Sequence, residues 1–456
     1  MLRRRTPLLR PAPASSPLLL VEAITVPQDN PVRVLSSANP AREDQIPAQE
    51  CPRPMPDIAD DQYILIQRTG RPMATDVSVQ ISTTREQAHA AEEAADACMD
   101  WFGEVDLRLS RFHQESELCT LNRSAGHWFA ASPILYSAVS IALRSAKASS
   151  GRFDPTLLPQ IEALGYDRDF ALIAQRETVP AASPRLPPPP PVPPLPGWRD
   201  IELDPATRRI RLPADVRLDL GGIAKGWAAD VALHRFCLPF SGALINVGGD
   251  MRVHGGPATG QLWSVGIRDP RQELGRPPDA PHIPGTVRGP VQTHPAESHV
   301  AFLSFSRGGL ATSGALHRWW LQGGKRRHHL LNPATGLPTP LWIDDEDTRP
   351  EAEDAMPLVA TATALAPTAA RAEVAAKVAL LRGYPAALRA AEAAWERPIA
   401  LSLGAPLDAD AAVALVLTLG TGEVVVSDNL SAYLSTWGTL GVALPTSPEL
   451  GLDASV

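Results

Sequence analysis

The stretch that most constrains the fold is RLDLGGIAKGWAAD at residues 217–230. It predicts a short strand ending at Leu220, a turn at Gly221 and Gly222, and a helix directly after that turn. Free N–H groups at a helix start attract anions, and glycines let a phosphate approach the backbone. Lys225 adds a positive charge. Because neither GxxxxGK[ST] nor GxGxxG is present, a tight turn without a ligand explains the stretch equally well.

Strand and helix patterns alternate on both sides of this turn. Period-two and short apolar runs predict strands at residues 63–67, 77–81, 243–247, 262–267, 300–305 and 359–366, and a hairpin at 201–212. Helical spacing predicts helices at residues 86–112 after a Thr84 cap, 133–148 after a Ser132 cap, and 368–381. The sequence therefore predicts a single α+β domain over about residues 61–440.

Proline makes up 47 of the 456 residues and is concentrated outside these elements. We predict a disordered Pro/Ala-rich leader at 1–60, in preference to a signal peptide, and a tail at 441–456. The run PRLPPPPPVPPLP favours polyproline II, so residues 177–198 are interpreted as a loop insertion, with a docking site for a proline-binding module as the alternative. Residues 270–297 are predicted to form another long loop.

Composition excludes several classes of protein. The formal net charge is −8, so no global basic excess favours nucleic acid, and we expect no nucleic-acid partner. No apolar run is long enough to cross a bilayer. The four cysteines lack metal-ligand spacing and are interpreted as scattered thiols.

Three further segments contain candidate functional residues. In RFDPTLLP at 152–159, Asp154 before Pro155 is typical of a helix start. In LINVGGD at 244–250, a buried strand runs into a glycine pair. Residues 310–338 contain a cluster of basic and aromatic residues. A hairpin turned by two glycines, followed by a turn at Asn332, explains the spacing of this cluster. A histidine in this cluster is a candidate base.

Taken together and in order, these segments resemble the ApbE family, the FAD:protein FMN transferases. The matching segments are PMATDVSVQI (72–81), LSRFHQESELCTLN (109–122), GRFDPTLLP (151–159), DLGGIAKGWAAD (219–230), LINVGGDM (244–251), LATSGALHRWW (310–320), HHLLNPATGLP (328–338) and APTAARAEVAAKVALLRG (366–383). The resemblance implies a single ApbE-like, T-fold-like domain. It also implies transfer of FMN from FAD to a Thr or Ser hydroxyl of an acceptor protein, with release of AMP, and a magnesium ion at the pyrophosphate.

The resemblance also implies roles for individual residues. His329 matches the histidine proposed to deprotonate the incoming hydroxyl. The positions that match flavin-contacting residues are Met73, Phe112, Phe153, Asp154, Asp219, Lys225 and Leu331.

The implied metal site departs from the family pattern. Relatives supply a backbone carbonyl, here that of Gly222, together with an aspartate and, four residues later, a threonine; the last two positions are Glu373 and Lys377 here. Glutamate can ligate magnesium, but an ammonium group has no lone pair. Three interpretations stay open. Lys377 pairs with Glu373 and replaces the cation, or the metal persists on Glu373, Gly222 and the pyrophosphate oxygens while Lys377 assists the phosphate, or the pair is a surface salt bridge.

The functional hypotheses follow from these alternatives. The first is a flavin transferase; the second is an FAD-binding protein with lost or altered transferase activity; the third is an interaction protein that uses its proline-rich segments. Because no lipobox precedes the domain, we expect a cytoplasmic location, with export or membrane association as the alternative.

Overall fold

The computed structural model describes residues 33–34, 44–45, 63–170, 172–173, 197–258, 260–268, 299–315, 318–322, 325–339, 359–384, 386–387, 413–419, 424–427, 430 and 438–442. Most of the predicted leader, insertion, long loop and tail lies outside these residues. Within the leader, the two-residue strands β1 (Arg33–Val34) and β2 (Asp44–Gln45) pair with each other.

The described strands and helices follow one another along the chain. After β1 and β2, the strands are β3 (Tyr63–Gly70), β4 (Val77–Thr84), β5 (Trp128–Ala130), β6 (Glu202–Asp204), β7 (Arg209–Arg211), β8 (Gly242–Val247), β9 (Asp250–Gly255), β10 (Trp263–Arg268), β11 (His299–Phe305), β12 (Arg307–Gly314), β13 (Trp319–Gln322), β14 (Lys325–His328), β15 (Leu331–Asn332), β16 (Leu337–Pro338), β17 (Val359–Ala366), β18 (Ala414–Leu419), β19 (Val424–Val426) and β20 (Gly438–Val442). The α-helices are α1 (Ala88–Leu109), α2 (Glu117–Arg123), α3 (Pro133–Ala148), α4 (Leu158–Ala163), α5 (Ala224–Ala232) and α6 (Ala369–Arg382).

An eight-stranded antiparallel sheet, in the order β19-β18-β17-β12-β9-β8-β4-β3, organises the domain. Strand β8 shows that this sheet is covered on both faces, because every residue of the strand is buried. Successive side chains of β8 point to opposite faces of the sheet and pack into two different hydrophobic clusters. Ala243, Ile245 and Val247 pack with the helices, whereas Leu244 packs with residues of β10 and β11. The sheet is thus covered by helices on one face and, in part, by the small sheet β10-β11-β20 on the other. This architecture confirms the predicted α+β class.

Helix α6 lies unusually close to the sheet and to α5. A Cβ atom added to Gly309 of β12 would lie 2.2 Å from the Ala369 nitrogen, and one added to Gly226 of α5 would lie 2.6 Å from the Ala369 carbonyl carbon. Only glycine fits where backbones approach so closely. Alanines on the buried face of α6 keep the remainder of that helix near β17. This packing positions the residues of α6 that face the site.

Helices α5 and α6 also cap each other through buried carboxylates. Asp230 of α5 accepts hydrogen bonds from the N–H groups of Ala369 (2.8 Å) and Ala370 (3.0 Å) at the start of α6. Glu373 of α6 accepts one from the N–H group of Gly226 in α5 (2.9 Å). Each carboxylate satisfies donors that a helix start leaves without an intrahelical partner.

Several predicted elements are confirmed and others are corrected. Helix α3 has the predicted bounds, and the Ser132 hydroxyl caps it by accepting from the Leu135 N–H. The predicted helix at 86–112 is shorter, since Arg85–Gln87 form a 3-10 turn without a Thr84 side-chain cap and α1 ends at Leu109. Hairpins β6–β7 and β13–β14 form as expected.

Two local predictions were wrong for identifiable reasons. Residues 217–220 form no strand, because the Asn122 side chain takes the place of a neighbouring strand by bonding both the N–H and the C=O of Leu218. Asp154 does not start a helix, because its carboxylate closes a local turn by accepting from the N–H and hydroxyl of Thr156. Helix α4 begins later, at Leu158.

The described cysteines Cys98, Cys119 and Cys237 are free thiols, as the sequence predicts. Among the described residues, no helix combines the length and hydropathy that a membrane span requires.

Candidate active site

One deep cavity of about 1030 Å³ opens between the start of α5, the β8–β9 turn, the end of α1 and the loop after β14. Its volume suits a ligand of the size of a dinucleotide. The predicted residues that line it are Met73, Phe112, Phe153, Asp154, Asp219, Gly222, Lys225, His329 and Leu331. Glu373 is fully buried and lies behind Lys225 and Lys377, both of which face the cavity. The fold therefore brings the predicted residues to one place.

Aromatic and apolar side chains form part of the lining. Phe112 and Tyr166 lie 5.8 Å apart between ring centroids, and Leu331 belongs to the same cluster. The Arg111 guanidinium carbon lies 4.2 Å from the Phe112 ring centroid and 4.4 Å from that of Tyr166. Such surfaces suit a flat, polarizable ring such as a flavin or a purine.

Arg111 also organises the polar wall through Asp219. The Asp219 carboxylate lies 3.3 Å from the Arg111 Nε atom and accepts a hydrogen bond of 2.8 Å from the Gly221 N–H. The Asp219 N–H in turn donates to the Pro155 carbonyl, which joins this wall to the Asp154 turn. Asp219 therefore fixes the shape of the glycine turn before α5.

At the cavity, Met73 has an uncommon backbone conformation and Asp154 has a shifted pKa. Met73 has a φ of 59°, a left-handed conformation that is uncommon for a residue other than glycine. Burial raises the pKa of Asp154, although its hydrogen bonds to Thr156 act in the opposite direction. Backbone outliers and perturbed carboxyl groups both concentrate at functional sites.

A buried charge cluster forms another wall of the cavity. The Glu373 Oε1 atom lies 3.1 Å from the Lys377 Nζ atom and 3.4 Å from the Lys225 Nζ atom. Lys225 also forms an ion pair with Asp250, which follows the glycine turn after β8. Burial, which is the largest cause, and the nearby charges of Lys377 and Arg318 together lower the pKa of Lys225 to about 8, although Glu373 acts in the opposite direction. Burial alone would raise the pKa of Glu373, but Lys225 and Lys377 outweigh it and hold that pKa below its ordinary value.

This cluster does not fit a magnesium ion. One Glu373 oxygen accepts from the Gly226 N–H and the other faces two ammonium groups. Lysine offers no lone pair, and Mg²⁺ requires several oxygen ligands at once. Across the part of the chain that the structure describes, no group of three or more His, Cys, Asp or Glu side chains could hold a metal ion.

The two adjacent histidines are in different situations. The His328 ring bonds the Thr339 carbonyl through Nε2 (2.8 Å) and accepts from the Leu330 N–H through Nδ1 (3.2 Å), so both nitrogens have structural partners. The His329 Nδ1 atom lies 3.4 Å from the Arg318 carbonyl, a contact that assigns the proton to Nδ1 and leaves Nε2 as an acceptor. Burial, together with the charge of Arg318, lowers the pKa of His329 well below its ordinary value, so its ring is neutral near pH 7. His329 is therefore able to accept a proton.

The buried His328 gives stability a pH dependence. Burial lowers its pKa from 6.5 to about 4, so between these values the unfolded chain binds more protons and stability rises with pH. On acidification from pH 7 to pH 5, the wild type should lose about 2 kcal/mol more unfolding free energy than His328→Gln. Urea unfolding at both pH values measures this difference, and the subtraction removes titrations common to both proteins. Equal losses in the two proteins would contradict this assignment.

Sequence reasoning missed several residues of the site. Arg111, Tyr166, Asp250 and Arg318 line the cavity but were not predicted to do so. Arg111 and Asp250 lie within the segments LSRFHQ and LINVGGD, so their position beside predicted residues was an available signal. Tyr166 offered none, because it enters the site through packing of the chain after α4.

The fold and the cavity define a class of protein: an antiparallel α+β domain with a cavity that combines aromatic surfaces, a glycine turn, basic side chains and a neutral histidine. Residues 73–400 match the model of the ApbE family, which is more than half of the chain. The protein therefore belongs to the ApbE family.

The chain is also similar in sequence to individual FAD:protein FMN transferases. The chain is 26% identical over 278 residues to an FAD:protein FMN transferase of Treponema pallidum, a match that covers 57% of this chain and 66% of that protein. It is 31% identical over 225 residues to an FAD:protein FMN transferase of Rhodobacter capsulatus, covering 49% of this chain and 37% of the other. The matches thus span from about a third to just under two thirds of these relatives.

Solved structures share the fold. An ApbE protein from Thermotoga maritima superposes with a TM-score of 0.55 at 22% identity, covering 81% of this chain and 99% of that one. The apo form of the flavinyl transferase ApbE from Pseudomonas stutzeri gives a TM-score of 0.55 at 19% identity, with 84% and 99% covered. These similarities support the single ApbE-like domain.

Proposed function

We propose that this protein transfers the FMN half of FAD to a Thr or Ser hydroxyl of an acceptor protein and releases AMP. The observation that carries the proposal is the cavity itself. In it, Lys225 and Lys377 face the same space as His329 and the apolar surface formed by Phe112, Tyr166 and Leu331. FAD is the substrate that matches this lining, because it joins a flavin and an adenine through a doubly charged diphosphate.

The proposed reaction is a phosphoryl transfer in which positioning and charge neutralisation supply most of the catalysis. The acceptor hydroxyl oxygen forms a bond to the phosphorus of the FMN half. The bond from that phosphorus to the bridging oxygen breaks, and AMP leaves with that oxygen. The hydroxyl proton moves to Nε2 of His329, which is the available acceptor in the ring.

The other residues position the substrate. Phe112, Tyr166 and Leu331 provide the surface for a ring, and the Gly221–Gly222 turn offers backbone close to a phosphate. Lys225 and Lys377 face the diphosphate charge. The geometry does not support a magnesium ion beside Glu373, and no step of the proposed reaction passes through one.

The test uses the full chain, FAD and a carrier protein that displays a library of peptides, each with one Thr or Ser. We expect carriers whose mass increases by that of FMN less water, with AMP released in equal amount. If FAD stays intact and no carrier gains mass, the proposed transfer is wrong.

A further inference from the structure

The ammonium group of Lys377 lies where three parts of the site converge. Its Nζ atom is 3.1 Å from the Glu373 Oε1 atom, and its Cε atom would lie 3.4 Å from a Cβ atom added to Gly222. The side chain is only 18% exposed and lines the cavity. Lys377 thus fills the space between the Glu373 carboxylate and the glycine turn.

The hydrogen bonds of this ammonium group leave it able to bind a ligand. An ammonium group has three N–H donors. The contacts that the structure describes for Lys377 are the Glu373 carboxylate and, at 3.4 Å, the Glu373 carbonyl. A donor therefore remains for an anion in the cavity. Lys225, by contrast, is held by both Asp250 and Glu373.

The buried charges also disfavour a divalent cation at this position. The carboxylate of Glu373 is fully buried and faces two ammonium groups, so its charge is already neutralised. A divalent ion placed beside it would be repelled by both groups, at low dielectric where such repulsion is strong. Removing Lys377 would leave Glu373 with one ammonium partner and free space next to the Gly222 turn.

From this geometry we propose that Lys377 is a built-in cation, which takes the position of a divalent metal and neutralises the diphosphate of the substrate directly. FAD binding and FMN transfer by this chain are then independent of magnesium. The claim about FMN transfer rests on the proposed function, whereas the claim about FAD binding does not depend on it. Glu373 has a positioning role, because it holds both ammonium groups and is itself buried behind the cavity lining.

The test measures FAD affinity by fluorescence titration and carrier labelling by mass, each in excess EDTA and in excess magnesium. We expect the wild type to behave equally in both conditions. In EDTA, Lys377→Thr should lose at least about tenfold in FAD affinity, the loss expected for one charge-assisted contact. Magnesium should restore that affinity, because threonine returns an oxygen ligand beside Glu373 and Gly222.

Two further variants control the experiment. Lys377→Arg keeps the charge and should remain independent of magnesium, whereas Lys147→Thr removes an exposed lysine of α3 and should match the wild type. Thermal melts verify that each variant is folded. If EDTA abolishes FAD binding by the wild type, or if Lys377→Thr binds FAD as tightly as the wild type in EDTA, the inference is wrong. Binding without carrier labelling in any condition would instead contradict the proposed transfer.

Discussion

Replacement of His329 with alanine should lower the rate of the proposed FMN transfer by about 100- to 10,000-fold, the range expected when a general base is removed. The ring is neutral near pH 7 because burial and the Arg318 charge lower its pKa. Its Nδ1 proton faces the Arg318 carbonyl, which leaves Nε2 to accept the hydroxyl proton. The rate is measured as carrier labelling at saturating FAD.

The control for this prediction separates chemistry from binding. His329→Ala should bind FAD with little change in affinity, since the basic side chains that line the cavity are intact. The variant His89→Ala, which changes an exposed histidine of α1, should transfer FMN like the wild type. A normal transfer rate in His329→Ala would mean that another group removes the proton.

Replacement of Asp230 with alanine should lower the unfolding free energy by about 3–5 kcal/mol, as expected when one partner of a buried ion pair is removed. Asp230 accepts two backbone N–H groups at the start of α6 and lies 3.1 Å from the Arg252 Nε atom. Burial raises the pKa of Asp230 to about 6, so the carboxyl group is largely ionised at pH 7.5. Urea unfolding at pH 7.5 measures the loss.

Two comparisons define what is lost in Asp230→Ala. Asp230→Asn keeps an oxygen acceptor but not the charge, so its loss should lie between those of the wild type and the alanine variant. Asp100→Ala removes an exposed carboxylate of α1 and should change stability by no more than about 0.5 kcal/mol. A loss in Asp230→Ala as small as that of Asp100→Ala would show that the reciprocal capping of α5 and α6 contributes little.

Sequence reasoning succeeded where local patterns determine structure. Ser132 and Pro133 mark the start of α3 because capping and the proline φ angle act within one turn. Strand β8 could be recognised as buried because a strand covered on both faces is apolar at nearly every position, and Asn246 is the one polar side chain in this strand. The cavity residues were predicted from several motifs that occur in a fixed order along the chain. No single one of these motifs would have been enough for that prediction.

The rest depended on contacts between residues that are distant in the sequence. The strand predicted at 217–220 does not form, because Asn122, almost a hundred residues earlier, satisfies the backbone of Leu218. The reciprocal caps join Glu373 to Gly226 and Asp230 to Ala369, and no local pattern reveals such pairs. The sequence left three interpretations of Lys377 open; the buried position of Glu373 argues against a surface salt bridge.

The central claim is that the cavity is a flavin site whose basic side chains face a diphosphate. Parallel fluorescence titrations of the full chain with FAD and with riboflavin test it most directly, because the two ligands share the ring but only FAD carries the diphosphate. We predict one FAD bound per chain, at least about tenfold more tightly than riboflavin, since charge-assisted contacts are lost with the diphosphate. Equal affinity for the two ligands, or no binding of FAD, would contradict the account.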